Sequence, residues 1–365
     1  MTAVDLTRLH ESYGQSLWLD NLSRRLLGDD GLPRLIRDYG IRGVTSNPTI
    51  FKKAIVGSDL YAEDIAACKR RYDEVESVYE HLVVSDIQRA CDILRPIWEE
   101  SHGEDGWVSW EESPGIAHDA AESVRAAHHL RELVDRPNVL IKVPGTDEGI
   151  EAFERLVSQG VSVNVTLLFS LDQLRRVFAA YRRGLEALEA NGGRVNQLRA
   201  VASLFLSRVD TLVDKQLDAI GGERAEALKG RSALALAGMA YQHFREVFES
   251  EDFHRFEQKG ARPQTPLWAS TGTKNPAYSD LLYVENLIAP GTINTLPDKT
   301  LEAFADHGKV ASTLKPRYEE DRRVWEELAD LGIDMDGAVR DQLLDEGVDQ
   351  FQVSFDELLE AIEQA

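Results

Sequence analysis

The chain has 365 residues, 43% hydrophobic and 28% charged, an ordinary balance for a folded protein with a sizeable core. Its 63 acidic and 41 basic side chains give a net charge of -22, and no Lys/Arg block stands against that field, so neither nucleic acid nor an anionic membrane is expected as a partner. An anionic ligand must then be met by a few cations placed at its site.

The opening stretch MTAVDLTRLHESYG carries Asp, Arg and Glu early and lacks an apolar core, so no secretory leader is expected. No apolar run approaches the roughly 18 residues of a membrane span. The first predicted strand is SLWLD (16–20), ending on Asp20, which either caps a helix over NLSRRLL or does acid–base work. The turn after it lacks the glycines of a dinucleotide-binding sheet, which weakens the open doubly wound alternative. The second strand is GVTSN (43–47), with Asn47 at its end. Residues 49–103 read as a charged, mostly helical insertion. They contain the two cysteines, Cys68 and Cys91, with no Cys-x-x-Cys, a pattern that fits a reducing, cytoplasmic setting.

The third strand is WVSWE (107–111), ending on Glu111; because Glu112 follows, one of the pair is predicted to be solvated. AHDAAESVRAAHHL (117–130) reads as helix. Its His118, His128 and His129 lack a ligating spacing, and no metal site is expected. NVLIKV (138–143) is the fourth strand, and Lys142 interrupts its apolar run. EGIEAFERLVSQG (148–160) is a helix closed by Gly160. In VSVNVT (161–166), Val161, Val163 and Val165 share one face, while Ser162, Asn164 and Thr166 share the other. A long helix over 171–193 leads to AVASLFLS (200–207), where Ser203 and Phe205 share a face and Arg208 follows. LWAST (267–271) carries Ser270, with Lys274 in the turn beyond. TINT (292–295) completes the set, and 296–365 continues as helix.

Eight strands alternating with helices predict a single (β/α)8 TIM barrel over 1–365, with core strands within about 16–296 and extra helices between strands 2 and 3 and at the C-terminus. Polar and ionisable residues collect at the C-terminal strand ends, where such a barrel keeps its chemistry.

Lys142 has two readings. It is a snorkelling or carboxylate-paired side chain, or it is an amine nucleophile that forms a Schiff base with a carbonyl. At the reference pKa of about 10.4, roughly 4 in 10⁴ lysines are neutral at pH 7, so the second reading needs desolvation by neighbours such as Leu140. Asp20 and Glu111 are candidate proton carriers, close enough to shuttle protons without locking the ammonium. Arg208 either begins an ordinary surface helix or, with Lys274 and the hydroxyls of Ser270–Thr273, neutralises a phosphate. Neither a Gly-x-Ser-x-Gly elbow nor a Gly-x-Gly-x-x-Gly turn is present.

The motifs GVTSNPTIF (43–51), IKVPGTDEGI (141–150), VNVTLLFS (163–170), SLFLSR (203–208) and WASTGTKNP (268–276) resemble the transaldolase family, in family order across most of 16–300. The longer bacterial branch is the most similar. The resemblance implies a class I enzyme of the non-oxidative pentose phosphate pathway, without cofactor. It would move dihydroxyacetone from sedoheptulose 7-phosphate or fructose 6-phosphate to glyceraldehyde 3-phosphate or erythrose 4-phosphate. It further implies Lys142 as the Schiff-base lysine, Asp20 as acid/base, and Glu111 with Thr166 as holders of a catalytic water. Asn47, Asn164 and Ser203 would bind substrate hydroxyls, Phe205 would line the pocket, and Arg208 would bind phosphate. Where many members read Ala-Ser-Phe-Arg-Asn, this chain reads Ala-Ser-Thr-Gly-Thr-Lys-Asn, so Lys274 would replace an arginine as second phosphate cation. A Schiff-base aldolase releasing free dihydroxyacetone, a non-catalytic sugar-phosphate-binding barrel and a metal-dependent aldolase are the competing functions. Homodimer and monomer are both open.

Overall fold

The computed structural model describes residues 4–314 and 318–365. Eight parallel strands close into a barrel in chain order: β1 Gln15–Asp20, β2 Ile41–Thr45, β3 Trp107–Glu111, β4 Val139–Pro144, β5 Val163–Leu168, β6 Ala200–Phe205, β7 Thr265–Ala269 and β8 Thr292–Leu296, with β8 paired to β1. Helices connect them on the outside, as the βα alternation predicts. The expected insertion between β2 and β3 forms helices Pro48–Ile55, Ala62–Lys69 and Val75–Glu100. The expected C-terminal extension forms helices Asp298–His307, Tyr318–Asp330 and Arg340–Gln364.

Period-2 alternation decides what each strand buries and where. Val163 and Val165 are fully buried under helices Asp147–Ser158 and Leu171–Ala190, which pack on β5. Full burial of such a side chain contributes about 1.5–3 kcal/mol, so the outward faces supply much of the cohesion. Asn164, on the opposite face, reaches across the interior to Ser109 on β3 and Ser203 on β6. The barrel axis is closed below by Trp18, whose indole donates to Asp105 at 2.9 Å. Gly43 on β2 leaves room for that ring: a Cβ there would lie 2.4 Å from it.

Several boundaries differ from the sequence reading, each for a local reason. β2 starts at Ile41 and stops at Thr45, because Asn47, extended before Pro48, caps the next helix by accepting from Ile50 N. β6 ends at Phe205, since Leu206 already opens helix Leu206–Ile220. β7 runs two residues earlier than read, because Ser270 takes a left-handed φ of 54° and ends the ladder. β5 continues to Leu168 through a bulge at Leu167, whose φ is 57°. No helix forms over NLSRRLL. Leu22, Leu26 and Leu27 turn into the core, and Gly28 and Gly31 follow, so Asp20 is not a helix cap. His118 lies before helix Ala120–Val134, not on it.

Candidate active site

The C-terminal ends of the strands open into a cleft of about 510 Å³. Of the residues singled out in the sequence, Asp20, Asn47, Lys142, Thr166, Ser203, Phe205, Arg208 and Ser270 line it. Glu111 meets it through Lys142, and Asn164, in register with Lys142 on the next strand, is fully buried behind the lining. Lys274 is exposed in an adjoining depression that shares Arg208.

Lys142 lies on the inward row of β4, two residues before its end, and is 4% exposed. Its Nζ donates to the Ser46 carbonyl at 2.9 Å and to Glu111 Oε2 at 3.2 Å. The register Glu111↔Lys142 between β3 and β4 fixes that pair, so the carboxylate in contact with the lysine is Glu111, not Asp20. Burial pushes the Glu111 carboxyl above its ordinary range, and the Lys142 ammonium pulls against that rise. Asp20 accepts from Thr45 Oγ1 at 2.7 Å, and Thr45 Oγ1 lies 2.7 Å from Thr295 Oγ1. Since Thr45 gives its proton to Asp20, Thr295 donates to Thr45, and one hydroxyl chain orients the carboxylate. Burial pushes the Asp20 carboxyl up as well, against the Thr45 hydrogen bond and the attraction of Lys142.

The expectation that one of Glu111 and Glu112 is solvated fails. Glu112 is 2% exposed, on the outer face of the barrel, where Ser123 Oγ donates to its Oε1 at 2.8 Å. Its Oε2 has no hydrogen-bond partner among the described residues, and burial pushes its pKa to about 8. It stands behind the site, not in it.

The hydroxyl and amide groups divide their bonds. Asn47 spends its Oδ1 on the helix cap, which leaves its Nδ2 for a ligand in the cleft. Asn164 is fully buried and committed at both ends, so it orients Ser203, whose Oγ donates to it at 2.7 Å. Thr166 Oγ1 is buried without a hydrogen-bond partner among the described residues, at the cleft wall. Such an orphaned hydroxyl is suited to a water or a substrate oxygen.

Arg208 sits in the first turn of helix Leu206–Ile220, half-buried, its charge disfavoured by burial. No hydrogen bond or ion pair engages its guanidinium among the described residues. Ser270, held by its Oγ 2.8 Å from Ser207 Oγ, lines the same end of the cleft.

Thr45, Ser46 and Thr295 were not singled out in the sequence. The first two lie inside the quoted GVTSN segment and become visible once β2 is placed beside β1 and β3. Gln350 and Phe351, which also line the cleft, come from the C-terminal helix, and no pattern in the sequence brings that helix to the barrel mouth. Among the described residues no group of three or more His, Cys, Asp or Glu is placed to hold a metal ion, and no helix is long and apolar enough to cross a membrane.

Taken together, an amine beside a carboxyl group, a second oriented carboxyl, hydroxyl donors and an uncommitted guanidinium suit proton-assisted chemistry on a carbonyl compound carrying an anionic group. A sequence model of the transaldolase/fructose-6-phosphate aldolase family matches residues 17–362. A transaldolase from Thiobacillus denitrificans is 51% identical over 98% of this chain and 100% of its own length. Transaldolases from Frankia alni and Trichodesmium erythraeum are 44% and 43% identical, over 96% and 97% of this chain and 95% and 96% of their own lengths.

Proposed function

The chain belongs to the transaldolase/fructose-6-phosphate aldolase family and is an enzyme, a transaldolase; from that premise we propose that it transfers dihydroxyacetone between sugar phosphates through a Schiff base on Lys142. The donors are sedoheptulose 7-phosphate or fructose 6-phosphate. The acceptors are glyceraldehyde 3-phosphate or erythrose 4-phosphate, a step of the non-oxidative pentose phosphate pathway in the cytoplasm.

One observation carries this reading: Lys142 is 4% exposed, yet its Nζ contacts Glu111, a carboxyl that burial drives toward its neutral form. Moving the proton from Lys142 to Glu111 leaves two uncharged groups, which a buried site holds more easily than an ion pair. The free amine then adds to the C2 carbonyl of the ketose, and the carbinolamine loses water to give a protonated Schiff base. Asp20 takes the proton of the C4 hydroxyl. The C3–C4 bond breaks, its electron pair moves into the iminium to form an enamine, and the aldose phosphate leaves. The enamine adds to the incoming aldehyde, the new alkoxide takes a proton back, and hydrolysis of the iminium frees Lys142. Thr166 and Glu111 hold the water of the dehydration and hydrolysis steps. Asn47 and Ser203 bind the dihydroxyacetone hydroxyls, with Asn164 fixing Ser203. Arg208, with Ser270 beside it, takes the phosphate, and Lys274 attracts it from the rim.

The test is product analysis with fructose 6-phosphate and erythrose 4-phosphate, in the presence of EDTA. Sedoheptulose 7-phosphate and glyceraldehyde 3-phosphate forming in equal amounts supports the reading. Free dihydroxyacetone forming in equal amount with glyceraldehyde 3-phosphate, in place of sedoheptulose 7-phosphate, would make the enzyme an aldolase, and loss of activity in EDTA would favour a metal-dependent reaction.

A further inference from the structure

The C-terminal helix Arg340–Gln364 lies across the barrel mouth, and it brings an aromatic ring to the guanidinium of Arg208. The Arg208 Cζ is 5.4 Å from the ring centroid of Phe205 and 5.7 Å from that of Phe351. Both fall within the roughly 6 Å range of cation–π attraction. Phe205 is braced from the barrel side by Phe169, at 5.6 Å between centroids, and Phe351 is 4% exposed, so both rings are fixed. One turn before Phe351, Gly347 lets the helix approach. A Cβ there would lie 3.1 Å from Leu167 Cδ2 and 3.5 Å from Arg208 Nη1. A mid-helix glycine costs about 1 kcal/mol relative to alanine, so this close approach is maintained against local preference.

The chemistry of the contact matters more than its strength. A guanidinium is usually held by a carboxylate, which consumes its N–H donors and competes with an incoming anion. Two ring faces hold it without consuming any. Arg208 is thereby fixed while its donors stay uncommitted among the described residues.

We propose that Phe351 is a positioning residue for phosphate recognition: together with Phe205 it clamps the Arg208 guanidinium in the orientation that binds a phosphorylated sugar. The inference rests on the assignment of Arg208 as the phosphate group's partner. Phe351 acts through Arg208 and touches no reacting atom.

The experiment compares a phosphorylated with an unphosphorylated ketone. The rate of borohydride-trapped adduct on Lys142 is measured with subsaturating fructose 6-phosphate and with dihydroxyacetone, and the ratio of the two is taken. This is done for the wild type, Arg208→Leu, Phe351→Leu and Phe351→Tyr, with thermal unfolding of each variant as the control for folding. The expected result is a ratio lowered at least tenfold in Arg208→Leu, lowered about five- to tenfold in Phe351→Leu, and restored to within twofold in Phe351→Tyr, which keeps the ring. A Phe351→Leu variant that loses both rates equally, or keeps the wild-type ratio while Arg208→Leu lowers it, overturns the clamp alone. An unchanged ratio in Arg208→Leu overturns the phosphate assignment and the clamp with it.

Discussion

A lysine in a nearly dry position must either keep an acceptor for its charge or lose its proton. Lys142 has both routes in one partner, because Glu111 can stabilise the ammonium or accept its proton. Replacing Glu111 by Gln keeps the shape and removes the acceptor that the proposed proton transfer needs. The kcat of Glu111→Gln is expected to fall by about 10²–10⁴, the usual loss for one acid–base group, while Glu111→Asp falls less. Steady-state assays of the two variants check this, and near-equal loss in both would point to packing instead. Glu112 is the contrasting neighbour, buried and outside the cleft. Its folded carboxyl keeps its proton up to about pH 8, whereas the unfolded chain releases it near 4.5. The folded state therefore binds more protons between those values, and the stability that Glu112 contributes is lost as pH rises through that window. Glu112→Gln lacks this loss. Its stability relative to the wild type should grow from pH 5 to pH 8, on the scale of a few kcal/mol, since each pKa unit is 1.36 kcal/mol. Denaturant unfolding at the two pH values measures it, and a pH-independent difference would contradict it.

At the scale of elements, the strands were legible because period-2 patterning survives closure into a barrel. Lys142, Thr166, Ser203 and Phe205 fall on the inward faces for that reason. What was not legible depended on partners distant in sequence. Nothing around Asp20 says that the following leucines turn into the core instead of forming a helix. Nothing in WVSWEE says that Ser123 will reach back to Glu112 from a helix outside the barrel. Left-handed backbone at Leu167 and Ser270 ends or bends strands without a glycine to announce it. Gly43, in contrast, has a reason only the structure gives, the Trp18 ring filling the space beside it. Gly43→Ala would force β1 and β2 apart around that ring and is expected to cost about 1–3 kcal/mol in chemical denaturation, as overpacking does. A neutral or stabilising outcome would mean that the ring can move aside.

For the whole molecule, a net charge of -22 surrounds a site proposed to receive sugar phosphates. In the proposed reaction Arg208 and Lys274 would meet that need locally, while the rest of the surface repels itself. Salt should therefore raise the Tm between about 10 and 300 mM NaCl, as the Debye length contracts from ~30 Å to below ~10 Å. A falling Tm would show that the surface ion pairs outweigh the net repulsion. The C-terminal helix belongs to this scale too. The sequence suggests a helical appendage after the eighth strand, and the structure lays it over the mouth, where Gln350 and Phe351 join the cleft.

The proposed transfer depends on Lys142 carrying the substrate covalently. The most direct measurement is reduction of the enzyme with borohydride in the presence of fructose 6-phosphate, followed by peptide mass spectrometry. The expected result is a single reduced dihydroxyacetone adduct on the peptide containing Lys142, absent from a folded Lys142→Met variant that has lost turnover. An adduct on another lysine, or turnover that survives in Lys142→Met, would contradict it.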